Sequence, residues 1–267
     1  MEPFFVHLIK SSAVLLLFLG SYHFFLKGET LFNSNRWFLL VGLMSSLIAP
    51  FITITKTVWV PLPPETSVEP LYAFAATADP QTEVHVVESF NWIRLLTIIY
   101  LSGVVLFGIR LFWQLYQIRN IKKNSTIERE AQFYHAKTHQ QIAPFSFFNY
   151  IFYYPFQFSS KELNTVLDHE KVHVSEYHSL DVIIMELFLV FMWFNPATWY
   201  YKLVIKQNLE FLADSKSQKD SSERKFYQYL MLKQTLGPNY ASITNPFYNS
   251  LIKKRIVMLN KKPSKKL

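Results

Sequence analysis

The chain has 267 residues, half of them hydrophobic and 17% aromatic, against only 17% charged. That balance is rich for a water-soluble protein and points to a membrane protein with a polar part, in one or two domains. Cysteine is absent, which excludes a disulfide framework and a thiolate metal site. The net charge of +8 comes with no base-reading motif, so it is read as contact with anionic lipid headgroups and not as direct nucleic-acid binding.

Phe4 to Leu26 is an apolar run of membrane-spanning length. It lacks a basic leader and an Ala-x-Ala cleavage site, so it reads as a retained helix and not a signal peptide, with Lys10 snorkelling from near one end. Trp37 to Ile54 reads as a second span, kinked or ended by Pro50. The short link between them carries Lys27 and Arg36. Thr55 to Asn91 holds five prolines and reads as a loop with a candidate strand at Glu83 to Val87. Trp92 to Phe112 reads as a third span, followed by Arg119, Lys122 and Lys123. The positive-inside rule puts the basic link and the basic exit in the cytoplasm, the 55–91 loop and the N-terminus outside, and everything after the third span inside.

Ile127 to Pro155 reads as strands, with the aromatic run Phe147 to Tyr154 as the strongest of them. Such a strand is either an edge that pairs with an extended peptide or part of the core. Ser159-Ser160-Lys161-Glu162 is a capping-box start for a helix running to about Tyr177. Val182 to Phe194 is apolar apart from Glu186 and too short for a comfortable span, so it is either a buried helix or one dipping into the membrane. Asn195 and Pro196 then supply an N-cap and first-turn residue for a helix reaching Asp214. Ser221 to Leu236 reads as a further helix stopped by Gly237-Pro238, and Ser250 to Leu259 as a short basic amphipathic one. The tail from Lys261 to Leu267 is polar and expected to be disordered.

The helix opened by the capping box contains His169-Glu170-Lys171-Val172-His173. Residues four apart share a helix face, so the two imidazoles stand side by side as ligands for one metal. Glu170 stands where it reaches a metal-bound water and takes its proton. Zinc suits imidazole and carboxylate ligands with one position left open. A surface helix with two solvated histidines has the same pattern, so a third ligand decides the matter. His178 does not fit a metzincin pattern, because Glu176 and Ser179 stand where that pattern needs glycine and histidine; it reads as a polar helix-end residue. The stronger candidate is Glu210-Phe211-Leu212-Ala213-Asp214. There Glu210 supplies the carboxylate ligand, and Asp214, one turn on, accepts a hydrogen bond from a ligand histidine.

With these residues in view the chain resembles the BlaR/MecR-type membrane metallopeptidases, in particular their Bacteroidota-like branch. The resemblance runs over nearly the whole chain. It rests on Lys10-Ser11-Ser12, Phe32-Asn33-Ser34-Asn35-Arg36-Trp37, Ala143-Pro144-Phe145-Ser146-Phe147-Phe148 and His169-Glu170-Lys171-Val172-His173. Beyond those it rests on His178-Ser179-Leu180-Asp181, Trp193-Phe194-Asn195-Pro196, Glu210 to Asp214 and Lys253-Lys254-Arg255-Ile256. It implies a gluzincin-type zinc endopeptidase on the cytoplasmic face of the bacterial inner membrane. His169, His173 and Glu210 would be the metal ligands, Glu170 the base and Asp214 the supporting carboxylate. In the best-known members an outside domain senses a β-lactam and the peptidase leads to cleavage of a transcriptional repressor. No Ser-x-x-Lys sensor domain follows the peptidase here, so a signal would arrive through the outside loop or a partner sensor protein.

The expected fold is therefore a mainly α membrane protein: three N-terminal transmembrane helices (1–118) with an external loop at about 55–91, an α+β zinc peptidase domain (119–260), and a basic tail (261–267). The expected partners are a protein or peptide substrate and the lipid bilayer, with a homodimer left open. A non-catalytic scaffold keeping the fold and a membrane quality-control protease are the competing readings.

Overall fold

The structure, a computed structural model, describes residues 2–52, 55–58, 90–218, 221–235 and 245–264. The candidate strand at Glu83 to Val87, most of the 55–91 loop, the Gly237-Pro238 stop and the last three residues of the tail lie outside the described residues. The described chain is mostly helical with one small sheet.

Helix α1 (Glu2–Ser21) continues through a wider π turn at Tyr22–Leu26. With α3 (Trp92–Lys123) it makes up the two described helices long and apolar enough to cross a membrane, of 24 and 32 residues. The second of the three expected spans is corrected. Helix α2 covers Phe32–Ile48, only 17 residues. Its first turn takes in the polar Asn33-Ser34-Asn35-Arg36, and the ring of Pro50 tightens the chain into a 3-10 turn at Ala49–Phe51. Polar residues at one end and proline at the other leave too little apolar helix between them. The third expected span also differs, since α3 runs eleven residues past Phe112, through Arg119 to Lys123.

These helices share one core with α5 (His178–Phe191) and α6 (Pro196–Ser217). Leu15 of α1, Leu39 and Leu43 of α2, Met185 of α5 and Tyr201 of α6 are all 1% exposed or less. Phe4 meets Tyr100 near the starts of α1 and α3, so these two run the same way. His7 meets Phe51, so α2 carries the chain back alongside α1. The α5–α6 hairpin is driven into this group tip first. At the tip Asn195 caps α6 by accepting from the Ala197 amide and donates to Ser12 of α1. Trp193 donates to the Tyr100 carbonyl and lies where a side chain on Gly103 would go. Met185, Phe188 and Met192 of this segment are buried against the apolar helices, and α5 starts at His178 and not at Val182.

The sheet has the order β1 (Ser125–Glu130), β2 (Phe133–Thr138), β4 (Tyr150–Tyr153), β3 (Phe145–Phe147). β1 and β3 pair antiparallel with their neighbours, β2 and β4 pair parallel, and Ser146 stands opposite Ile151. The single aromatic strand expected at 147–154 is thus a tight hairpin. Phe148 takes φ 47, reversing the chain, and its amide is held by Ser179 Oγ at 2.8 Å. Ile151 and Tyr153 of β4 pack on Leu167 and Val174 of α4 (Ser160–Ser175), which seats that helix against the sheet. The capping box is complete: Ser159 accepts from the Glu162 amide while Glu162 accepts from the Ser159 amide.

Helices α7 (Ser221–Thr235) and α8 (Asn245–Leu259) close the domain, with Tyr227, Met231 and Ile252 packed together. α8 begins five residues before the expected start at Ser250. The first part of the tail, which reads as disordered, bonds the link between α1 and α2: the Thr30 amide and hydroxyl both donate to Ser264 Oγ, and the Ser264 amide donates to Thr30 Oγ1. Lys261 donates to the Gly28 carbonyl.

Gly42 is the tightest point of the α1–α2–α6 contact. A β-carbon there would lie 2.6 Å from the Phe18 ring and 2.7 Å from the Tyr201 hydroxyl, which is itself fixed on the Leu39 carbonyl. Gly42→Val is expected to cost about 1–3 kcal/mol by overpacking, read as a lowered melting temperature of the detergent-solubilised chain; an unchanged midpoint would show that α2 does not pack this closely.

Candidate metal centre

α4 and α6 face each other across a cleft of about 800 Å³. From α4 come His169, Glu170 and His173, one turn apart, as the spacing requires; from α6 comes Glu210. His169 Nε2 is 3.1 Å from His173 Nε2 and 3.5 Å from Glu210 Oε2, and His173 Nε2 is 3.7 Å from Glu210 Oε1. Four ligands placed tetrahedrally around zinc at ordinary bond lengths stand about 3.3 Å apart, so the three atoms have the spacing of one shared metal. Among the described residues this is the one group of His, Asp and Glu side chains with such spacing.

Asp214 lies one turn beyond Glu210, as expected, and is 1% exposed. Its Oδ1 is 3.2 Å from His169 Nδ1, so it can hold the ring with Nε2 free to bind a metal. Two further residues complete this support. The Tyr227 hydroxyl donates to Asp214 Oδ1 and stands 2.9 Å from His169 Nδ1. Arg255 bonds both Asp214 oxygens, at 2.6 and 2.9 Å, and pairs with Glu210 Oε2 through Nη1 at 2.9 Å. His173 has a different supporter: its Nδ1 is 2.8 Å from Nδ1 of His178.

Sequence reading missed these three. Arg255 stood within a stretch quoted for the family resemblance, without a role. Tyr227 had no local signal, since its helix meets His169 only in the folded chain. His178 is the helix-end residue it reads as, the first of α5; its burial at 2% exposed and its contact with His173 had no sequence signal.

The environment sets distinct protonation for each ring. Burial alone would lower the pKa of His169, but hydrogen bonds to Asp214 and Glu210 outweigh it and raise it to about 9. Burial, reinforced by the neighbouring His169, lowers that of His173. Burial, then His173 and Arg36, push His178 down to about 2, so that ring is neutral. Burial would raise the Asp214 carboxyl, yet Arg255 and His169 hold it below the ordinary carboxylate range. The same two neighbours and His173 do so for Glu210.

A proton sits on His169 below about pH 9 before a metal arrives, and a metal must displace it. Zinc affinity is therefore expected to rise about tenfold per pH unit from about pH 7 and to level off near 9. Asp214→Ala should weaken binding by about 10–100-fold and move the levelling to lower pH, because the group that raises the ring's pKa is gone. Chelator competition across that range tests both; a flat profile would show that His169 is not the ligand that loses the proton.

The residues that build this centre lie inside the region matched by a protein-family model, that of the BlaR1 peptidase M56, which covers residues 30–259. A comparison with curated proteins gives no match. The matched region takes in all of α2 through α8, including His169, His173 and Glu210, and the chain belongs to the BlaR1 peptidase M56 family.

Proposed function

We propose that this chain is a membrane-embedded zinc endopeptidase that cuts an extended segment of a cytoplasmic regulatory protein, of which a transcriptional repressor is the expected kind. The observation that carries the reading is the spacing of His169, His173 and Glu210, with Glu170 beside them on the wall of the same cleft. His169, His173 and Glu210 would hold the zinc, and Asp214 would orient His169. Bound zinc would supply Lewis-acid polarisation of the scissile carbonyl and acidification of the attacking water.

Glu170 is 8% exposed and lines the cleft. It follows His169 directly, on the α4 face that the ligands share. In the reaction Glu170 takes a proton from the attacking water and returns it to the departing amine nitrogen, leaving one new carboxylate and one new amine. β3 is the edge strand of the sheet and its Phe145, Ser146 and Phe147 line the cleft. A peptide laid along β3 would gain backbone hydrogen bonds whatever its sequence, while apolar side chains such as Val166, Leu230 and Ile252 receive its own.

α1 and α3 lie in the bilayer in this reading. Both end in cations on the side of the metal centre: Lys27 after α1, and Arg119, Lys122 and Lys123 in the last turns of α3. The positive-inside rule makes that side cytoplasmic and the N-terminal ends of both helices external. α2 and the α5–α6 hairpin pack one face against α1 and turn apolar side chains such as Val41, Ile48 and Leu187 outward.

The test uses detergent-purified chain. One zinc per chain is expected in the wild type and in Glu170→Gln, and none in Glu210→Ala. Cleavage of peptide substrates is expected to fall by about 10²–10⁴-fold in Glu170→Gln. Zinc without any cleavage in the wild type would favour a scaffold, and full cleavage by Glu170→Gln would sink the mechanism.

A further inference from the structure

We infer that Arg36, on the membrane-side helix α2, is a positioning residue for the metal centre, acting through the α4–α5 turn to hold His178 against the ligand His173. The inference rests on the metal-centre reading of His169, His173 and Glu210.

The chain of contacts is short. α4 ends at Ser175 and α5 begins at His178. The reversal between them is made by Tyr177 at φ 55, outside the range favoured by residues with a side chain, and without a side-chain cap. Local backbone bonds (Glu176 amide to the Val172 carbonyl, Tyr177 amide to the Val174 carbonyl, Leu180 amide to the Tyr177 carbonyl) close the turn, and a side chain from another element grips it. Arg36 does so with its whole guanidinium: Nε donates to Asp181 Oδ2 at 2.6 Å, Nη2 to Asp181 Oδ1 at 3.1 Å and to the Glu176 carbonyl at 2.8 Å, and Nη1 to Glu176 Oε2 at 3.4 Å. The side chains of Arg36 and Asp181 are 10% and 5% exposed, so the pair is desolvated and bidentate. Asp181 follows His178 by three residues, on the same turn of α5. The grip therefore fixes the turn that carries His178.

His178 needs that grip because it has little of its own. Its Nδ1 meets His173 Nδ1 at 2.8 Å; its Nε2 is buried and meets no hydrogen-bond partner among the described residues. If His173 offers Nε2 to a metal, its other nitrogen carries the proton and donates it to His178 Nδ1. His178 then carries its own proton on the nitrogen that has no acceptor. A ring with a single hydrogen bond and a buried unpaired N–H stays in place only when the backbone beneath it is held. His178 occupies the role that a carboxylate or carbonyl usually fills for a ligand histidine. The result is a direct physical line from α2 to a metal ligand: Arg36, Asp181, His178, His173.

The test compares zinc affinity by chelator competition in the full-length, detergent-purified chain. Arg36→Gln and His178→Ala are each expected to weaken binding about tenfold. Their combination should be no weaker than the more affected single variant, because both act on one contact. Tyr201→Phe removes another buried bond to α2, that of the hydroxyl to the Leu39 carbonyl. It is expected to lower the melting temperature yet leave zinc affinity within about twofold, which a merely structural role for Arg36 would not distinguish. Should Arg36→Gln fail to fold, Asp181→Asn and Arg36→Lys, which each keep part of the pairing, carry the same expectation. Zinc bound equally by wild type and the Arg36 or Asp181 variants, or losses that multiply in the double variant, would overturn this inference alone. A wild type that takes up no zinc would overturn the metal-centre reading with it.

Discussion

The buried carboxylate of Asp214 is the constraint around which the domain closes. A charge 1% exposed is too costly to leave unpaired, and three elements answer it at once: His169 from α4, Tyr227 from α7 and Arg255 from α8. α7 and α8 come late in the chain and share few apolar contacts with α4, so this polar knot does much to dock them over the cleft. The same knot holds two of the candidate metal ligands. Asp214 orients His169, and Arg255 restrains both Asp214 and Glu210. Truncating one partner of such a network leaves the others buried and unsatisfied, so its members are coupled by more than their pairwise distances.

The ligands come from two helices with different attachments. α6 has 22 residues and spans about 33 Å. Its first half, through Tyr201, is locked among α1 and α2, and its last turns present Glu210 and Asp214. α4 is seated on the sheet through Leu167 and Val174, and joins the apolar helices through α6 and the turn that Arg36 grips. The candidate carboxylate ligand is thus carried by the membrane-side bundle and the two candidate histidine ligands by the sheet-side layer.

Local chemistry was legible in the sequence wherever it lies within one helix. The His169–His173 spacing, the Ser159–Glu162 capping box and the Asn195-Pro196 start each need only a few adjacent residues, and each is present as read. The Glu210–Asp214 pair was legible for the same reason. What failed depends on partners far along the chain. Arg36 looked like a cation flanking a span; it lies inside α2 and is paired with Asp181, 145 positions away. Phe147 to Tyr154 had the composition of one strand, and the reversal at Phe148 rests on a bond to Ser179 that no local pattern announces. The tail looked free because Thr30, its partner, lies 234 positions away.

These misses share a physical origin, and it bears on how the centre is built. Arg36, His178, Tyr227, Arg255 and Ser264 are polar groups whose partners are polar groups on other elements. Hydrophobic periodicity is silent about them, since each stands on a face that would suit solvent equally well. In the folded chain Tyr227 and Arg255 bear on His169, Asp214 and Glu210, and His178 on His173, while Ser264 ties the end of the chain to Thr30. Apolar packing brings α4, α6 and the bundle to the right neighbourhood; it is weakly directional, and a shift of half an ångström costs it little. Charged and hydrogen-bonded pairs between elements are steep in distance and angle. A centre assembled from helices of two layers therefore needs its last adjustment from polar contacts between those layers, which is where Arg36, Tyr227 and Arg255 stand.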